Sequence, residues 1–220
     1  MPIAMTEEVN RTESSCYCGD MPRVSVYENG KYLPLKRAFD LVCAVAVSLL
    51  LAVPMAILAL LIKLDSPGPV LFLQERMGRD AKKFTIYKFR TMAPHAPRDV
   101  AARDLKNPEQ YQTRLGTFLR KSSIDELPQL WNIIKGDMSF VGYRPVCLTE
   151  TALNEMRERC GVFAVRPGIT GLAQVSGRDN LSIEEKALLD AEYVTRCSLK
   201  MDIRCVLLTV KTVLSGEGVN

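Results

Sequence analysis

The sequence predicts a mainly helical α+β chain: an N-terminal re-entrant membrane helix broken at Pro54, a small sheet, and amphipathic helices at the membrane interface. Three observations predict it. Residues 41–62 form a 22-residue run in which only Ser48 is clearly polar. Two short β-type patterns, at 70–73 and 84–89, flank the turn chemistry of Gly78-Arg79-Asp80. Leu127, Leu130, Trp131 and Ile134 follow at helical spacing. With 47% of its 220 residues apolar and 25% charged, the chain is too apolar for disorder and short for a polytopic transporter.

Residues 1–30 mix Glu, Ser, Thr, Pro and Gly without periodicity and read as a flexible tail. Its Met1 end lacks the basic n-region of a signal peptide. The re-entrant element is assigned to residues 31–65. At about 1.5 Å per residue, 22 helical residues reach roughly 33 Å, enough to cross a hydrocarbon core of about 30 Å. Pro54, however, removes a backbone donor inside the run, which predicts a kink or break near Val53. Lys36 and Arg37 precede the run and Lys63 follows it, so the flanks give no inside-outside bias. A helix that enters, bends and leaves by the same face satisfies both observations.

Asp65-Ser66-Pro67-Gly68-Pro69 is a turn cluster, and residues 93–112 read as a loop with a short helix. A helix begins near 123–125, carries Leu127, Leu130, Trp131 and Ile134 on one face, and stops at Gly136. Ser182 with Glu185 forms a capping box for a helix to about Arg196. A last helix covers about 200–214; its apolar side fits either the interface or the core.

The charge balance is mild, 29 basic against 25 acidic residues, but the tail is acidic, so the basic excess accompanies the apolar run. That points to phosphate or a lipid surface. The basic and aromatic stretch 82–90 lacks the glycine pattern of an RNA-recognition strand, so no nucleic acid is expected. Seven cysteines, odd in number and without metal-type spacing apart from Cys16-Tyr17-Cys18, read as reduced thiols.

The stretch most informative about chemistry is Leu119-Arg120-Lys121-Ser122-Ser123-Ile124-Asp125-Glu126-Leu127-Pro128-Gln129. Ser123 and Glu126 have capping-box spacing, and acids favour a first helical turn, so a purely structural role stands beside a chemical one. With Ser123 as cap Pro128 would forfeit a ladder bond, whereas with Asp125 as cap it falls where no donor is needed. The positive end of a helix and the neighbouring Arg120 and Lys121 would keep Asp125 ionised, as an oxygen nucleophile requires. Attack by a carboxylate on an anionic phosphate needs a divalent cation and guanidinium groups to offset like charge. Mg²⁺ is the expected ion, and Arg120, Arg144 and Arg178 are candidates for bidentate phosphate contact.

Six ordered motifs resemble the bacterial sugar transferases, the monotopic phosphoglycosyl transferases in their minimal single-domain form. They are Lys36-Arg37-Ala38-Phe39-Asp40, Ser66-Pro67-Gly68-Pro69-Val70 with Gln74, Arg76 and Gly78, and Phe84-x-x-Tyr87-Lys88-Phe89-Arg90-Thr91-Met92. Then come Leu119-Arg120-Lys121 with Asp125-Glu126-Leu127-Pro128-Gln129, Val141-Gly142-Tyr143-Arg144-Pro145, and residues 166–178, Arg-Pro-Gly-Ile-Thr-Gly-Leu-Ala-Gln-Val-Ser-Gly-Arg.

The resemblance implies transfer of a sugar-1-phosphate from a UDP-sugar to a polyprenyl (undecaprenyl) phosphate, with release of UMP. It implies Asp125 as nucleophile, Glu126 as its partner, and both as contacts for Mg²⁺. Lys88, Arg90, Arg120, Arg144 and Arg178 are assigned to substrate, and Lys36, Arg37 and Pro54 to the membrane. Residues 66–220 become a catalytic domain packed on the membrane face, on the cytoplasmic leaflet of the inner membrane; the oligomeric state is open. The chain departs from the family pattern at Val53, Leu172 and Tyr143, the last standing where the family usually has the first proline of Pro-Arg-Pro. The alternative class is a bitopic, membrane-anchored binding protein without catalysis.

Overall fold

The computed structural model describes residues 32–97, 107–177 and 180–215; the tail over 1–30, Cys16, Cys18 and Arg178 lie outside the described residues. Helix α1 runs Tyr32–Asp65 and is followed by an antiparallel hairpin, β1 (Leu71–Met77) and β2 (Lys83–Phe89), with Leu71 opposite Phe89 and Met77 opposite Lys83. A one-turn 3-10 segment at Arg79–Ala81 joins the strands, with Asp80 left-handed at φ 56°. Beyond it lie α2 (Arg114–Lys121), a 3-10 turn at Ile124–Glu126, α3 (Gln129–Lys135), β3 (Ser139–Val141) and α4 (Thr151–Arg159). The last elements are β4 (Gly168–Thr170), α5 (Leu172–Ser176), α6 (Ile183–Arg196) and α7 (Leu199–Ser215). β3 and β4 form a second, parallel pair, so the expected single small sheet is two two-stranded ones.

The helix ends follow their sequence signals where a side chain can satisfy a free backbone group. Ser182 Oγ accepts from the Glu185 N–H at 3.1 Å while Glu185 Oε2 accepts from the Ser182 N–H at 2.7 Å, the reciprocal box that starts α6. Gly136, left-handed at φ 95°, closes α3 and donates to the Asn132 carbonyl at 3.1 Å. At Gly116 in α2 a Cβ would lie 2.0 Å from the Thr91 carbonyl oxygen, so only glycine lets α2 lie against the chain leaving β2.

α1 keeps its helical course through Pro54, so the break expected near Val53 is not present as an interruption. One stripe of the helix, Asp40, Ala44, Val47, Met55, Leu58 and Ile62, packs on the body on both sides of the proline. That packing ties both halves to one body while the lost donor falls on the exposed side, beside Leu50 at 77% exposure. The opposite face, with Phe39, Val42, Leu49, Val53, Ile57, Leu60 and Leu64, is apolar and uncovered. α1 is the one helix among the described residues that is long and apolar enough to cross a membrane.

Both ends of α1 are tied to the same body. At the first, Asp202 of α7 accepts from the Tyr32 hydroxyl at 2.7 Å, pairs with Lys36, and lies 2.7 Å from the Tyr193 hydroxyl of α6. Arg37 donates from Nη1 to the Ile133 carbonyl at 2.6 Å and from Nη2 to that of Ile134 at 3.0 Å, satisfying the end of α3. Asp40, 3% exposed, accepts from Ser139 Oγ at 2.7 Å. At the second end Arg90 holds the carbonyls of Ser66 and Pro67. Lys36 and Arg37, expected at the membrane, make these internal contacts, because a carboxylate and carbonyls of the fold lie within their reach.

α7 resolves the open reading of the last helix in both directions. Asp202 and Cys205 face the core, while Leu199, Ile203, Val206, Leu207 and Val210 form an exposed stripe with Lys200, Arg204 and Lys211 along its edge. Asp202→Ala would leave Lys36, whose side chain is 11% exposed, without its counter-charge. We expect a loss of about 3–5 kcal/mol, read as a lower midpoint of thermal unfolding in detergent; an unchanged midpoint would refute the clamp.

Candidate active site

Four segments converge on a cavity of about 530 Å³, within the roughly 300–1,000 Å³ range of small-molecule sites. β2 supplies Ile86 and Lys88, two residues apart and so on one face of the strand. The end of α2 supplies Arg120, the following 3-10 turn supplies Asp125 and Glu126, and the loop after β3 supplies Arg144. Asn132 ties β2 to α3, the helix that follows the acidic turn: its Oδ1 accepts from the Tyr87 N–H at 3.0 Å and its Nδ2 donates to the Thr85 carbonyl at 2.7 Å. Ile124 and Leu127, on either side of the two acids, pack against the cluster of Ile62, Phe89 and Leu119.

The capping box expected at Ser123 and Glu126 does not form. Ser123 is left-handed at φ 57° and its side chain caps nothing. Glu126 turns instead to Lys88 Nζ at 2.7 Å and Arg144 Nη2 at 3.0 Å, both on Oε1. α3 begins only at Gln129, so the acids occupy a separate turn ahead of it and Pro128 costs no ladder bond. Asp125, 9% exposed, has no hydrogen bond or ion pair to its carboxylate among the described residues.

The two acids thereby acquire opposite character. Burial pushes the Asp125 carboxyl above its ordinary value; Lys88, Arg120 and Arg144 pull against this and the charge on Glu126 adds to it. Burial also opposes the charge on Glu126, but Arg144 and Lys88, by charge and by hydrogen bonds, hold it well below the usual carboxylate range. Lys121, expected to help ionise Asp125, is exposed and outside the cavity. Glu126 is thus a fixed anion within a cationic pair, and Asp125 a desolvated, unencumbered carboxylate facing the cavity. No group of three His, Cys, Asp or Glu placed for a metal occurs among the described residues. One free carboxylate with its neighbour still suits Mg²⁺, which takes one or two carboxylates and completes its shell with substrate phosphate and water.

Of the predicted substrate residues, Lys88, Arg120 and Arg144 line the cavity and Arg90 does not. Arg90, 5% exposed, is directed at the turn after α1, with its guanidinium 2.6–2.8 Å from Pro67 O, Ser66 O and Ser66 Oγ. Arg90 follows Lys88 by two residues but lies past the end of β2 at Phe89, where strand alternation no longer sets its direction, and motif spacing carries no sign of its partners on the turn after α1.

Lining residues left without a role by the sequence include Arg76, Arg157 and Gln174. Arg76 and Gln174 lay inside quoted motifs but carried no distinguishing pattern. Arg157, 2% exposed, binds Asp190 Oδ2 through Nη2 at 2.6 Å and donates from Nη1 to the Arg144 carbonyl at 2.9 Å. Its guanidinium lies 5.2 Å from the centre of the Tyr143 ring, which packs edge-on to Phe163 at 5.5 Å. A helical Arg amid charges offers no sequence signal for such burial.

The sequence profile described as Bacterial sugar transferase matches residues 31–216. An undecaprenyl-phosphate glucose phosphotransferase of Komagataeibacter xylinus is 43% identical over 188 residues, covering 80% of this chain and 35% of that protein. The UDP-glucose:undecaprenyl-phosphate glucose-1-phosphate transferase of Escherichia coli K12 is 38% identical over 202 residues, covering 86% and 43%. An uncharacterized sugar transferase of Bacillus subtilis is 41% identical over 185 residues, covering 84% and 90%. The chain therefore spans only about two fifths of the length of the first two relatives.

The charge arrangement makes a prediction independent of any reaction. Lys88→Met removes a cation that lowers the Asp125 titration, so Asp125 should protonate at higher pH. Glu126→Gln removes a like charge and frees Lys88 and Arg144 to act on Asp125, so it should protonate at lower pH. Carboxyl ¹³C shifts read both; shifts in the same direction would contradict the assignment.

Proposed function

Because the chain belongs to the bacterial sugar transferase family, we propose that it transfers a sugar-1-phosphate from a UDP-sugar to undecaprenyl phosphate. The carrying observation is the free, desolvated Asp125 carboxylate beside a Glu126 already neutralised by Lys88 and Arg144. A nucleophile must be ionised yet unshielded: Glu126 takes the hydrogen bonds of Lys88 and Arg144 and leaves Asp125 unshielded, while the charges of Lys88, Arg120 and Arg144 work against the burial that opposes its ionisation.

In the proposed mechanism an Asp125 oxygen attacks the phosphorus that carries the sugar. The bond from that phosphorus to the bridging oxygen breaks, and UMP leaves with the electron pair. An oxygen of undecaprenyl phosphate then attacks the same phosphorus and expels the Asp125 carboxylate, leaving a diphosphate-linked sugar on the lipid. Arg120 and Arg144 bind and orient phosphate oxygens at the cavity wall, and Lys88 keeps Glu126 anionic. Mg²⁺, held by Asp125 with Glu126, would neutralise the diphosphate that the carboxylate approaches.

A monotopic placement, on the cytoplasmic leaflet of the inner membrane, is part of the proposal. Its support is that residues 32–40 and 62–66, at the two ends of α1, bond to one body. A bitopic anchor would put them on opposite sides of the bilayer. The uncovered apolar faces of α1 and α7 then lie toward lipid, with Lys200, Arg204 and Lys211 at the head-group level.

The deciding experiment is a UMP-release screen across UDP-sugars with undecaprenyl phosphate and Mg²⁺. We expect Asp125→Asn to lose at least about 10³-fold and Glu126→Gln about 10²-fold. Without acceptor lipid, wild type should release about one UMP per active site, the signature of a covalent intermediate. Full activity of Asp125→Asn would overturn the mechanism. Labelling of single cysteines placed before Phe39 and after Asp65 should reach both from the same side of the membrane; labelling from opposite sides would restore the bitopic anchor.

A further inference from the structure

Arg144 reaches the acidic turn by donating from Nη2 to Glu126 Oε1 at 3.0 Å, yet its side chain is 47% exposed. A long side chain with that much freedom is aimed by the backbone that carries it. Up to Tyr143 the backbone is held by the pairing of β3 with β4: the Gly142 N–H donates to the Thr170 carbonyl at 2.8 Å and the Gly168 N–H to the Tyr143 carbonyl at 2.9 Å. The next carbonyl, that of Arg144 itself, accepts from Arg157 Nη1 of α4 at 2.9 Å.

Arg157 is in turn held on every side. Its Nε and Nη2 both donate to Asp190 Oδ2 of α6, at 2.9 and 2.6 Å, and its guanidinium lies 5.2 Å from the centre of the Tyr143 ring. The two charged side chains are 2% and 1% exposed. With one edge on Asp190 and the far nitrogen on a carbonyl, this guanidinium holds the chain rather than a phosphate. A buried ion pair is weak grounds for stability, since apolar residues of similar size can replace it, and its best-attested use is to fix a register. Resting on the transferase reading above, we propose that Arg157, locked by Asp190, is a positioning residue for Arg144. It fixes the Arg144 carbonyl so that the Arg144 guanidinium meets Glu126 and the phosphate oxygens of the nucleotide sugar together. α4 and α6 thereby set the aim of a residue on the loop after β3.

The test is a double-mutant cycle read by single-turnover UMP release, which reaches slow variants. Arg157→Lys keeps a cation opposite Asp190 but cannot serve that carboxylate and the Arg144 carbonyl together. Arg157→Met combined with Asp190→Leu removes the pair without leaving a buried charge, so folding is tested apart from aim, and either variant decides if the other fails to fold. We expect both to keep a thermal midpoint near that of wild type and to release UMP about 10- to 100-fold more slowly. In an Arg144→Ala background the same changes should cost less than about 2-fold, because the side chain they aim is gone. An equal loss in both backgrounds makes the pair structural alone and overturns the inference, as does full activity of the variants. Absence of UMP release by wild type with every UDP-sugar overturns the transferase reading instead, so the two failures are distinct.

Discussion

The interaction on which the site depends is the pairing of one carboxylate with two cations from distant segments. Glu126 meets Lys88 from β2 and Arg144 from the loop after β3, 38 and 18 residues away in sequence. With side chains of Glu126 and Lys88 only 14% and 17% exposed, removal of either partner leaves a charge largely shielded from water, so the hairpin, the acidic turn and the β3 loop are coupled. The same pairing occupies the groups that would otherwise bind Asp125. A cluster of two acids and three cations could have settled as two closed salt bridges. Here it settles as one saturated acid and one open one, and that asymmetry is the chemical content of the site.

Much of this was legible in the chain, for identifiable reasons. The capping box at Ser182 and the stop at Gly136 are local, because a side chain or a glycine satisfies backbone groups within a few residues. The Asp125-Glu126 dyad was legible as a motif, but its geometry was not. Ser123 with Glu126 has the spacing of a cap, and only the tertiary pull of Lys88 and Arg144 takes the Glu126 side chain elsewhere. Arg37, Arg90 and Arg157 escaped for the same reason: each reaches carbonyls 13 to 97 residues away, and one sequence carries no local trace of such partners. β3 and β4, three residues each, are too short to show alternation.

α1 answers two solvents at once. One stripe, from Asp40 to Ile62, is specified by the body it packs on, with a buried carboxylate at one end and an isoleucine 3% exposed at the other. The remaining circumference is apolar and exposed among the described residues, which is why the run reads as apolar all round in sequence although only part of it is core. Pro54 sits on that outer side, where the backbone group it leaves unpaired disturbs no contact with the body.

Tyr143 stands where the resemblance leads one to expect proline, and packing holds the chain there by other means. Proline fixes φ and so stiffens the chain before Arg144 by covalent restriction. Tyr143 has no such restriction, yet it is 1% exposed, wedged against Phe163, and covered on its ring face by Arg157. Arg157 in turn is locked by Asp190, 1% exposed, and grips the carbonyl of Arg144 itself. Packing and a buried ion pair therefore hold the backbone that a ring would have held. A fully buried aromatic cannot be exchanged for a small ring without leaving a void, so a smaller residue at 143 would take from Arg157 the ring it lies over and from the backbone before Arg144 its packing.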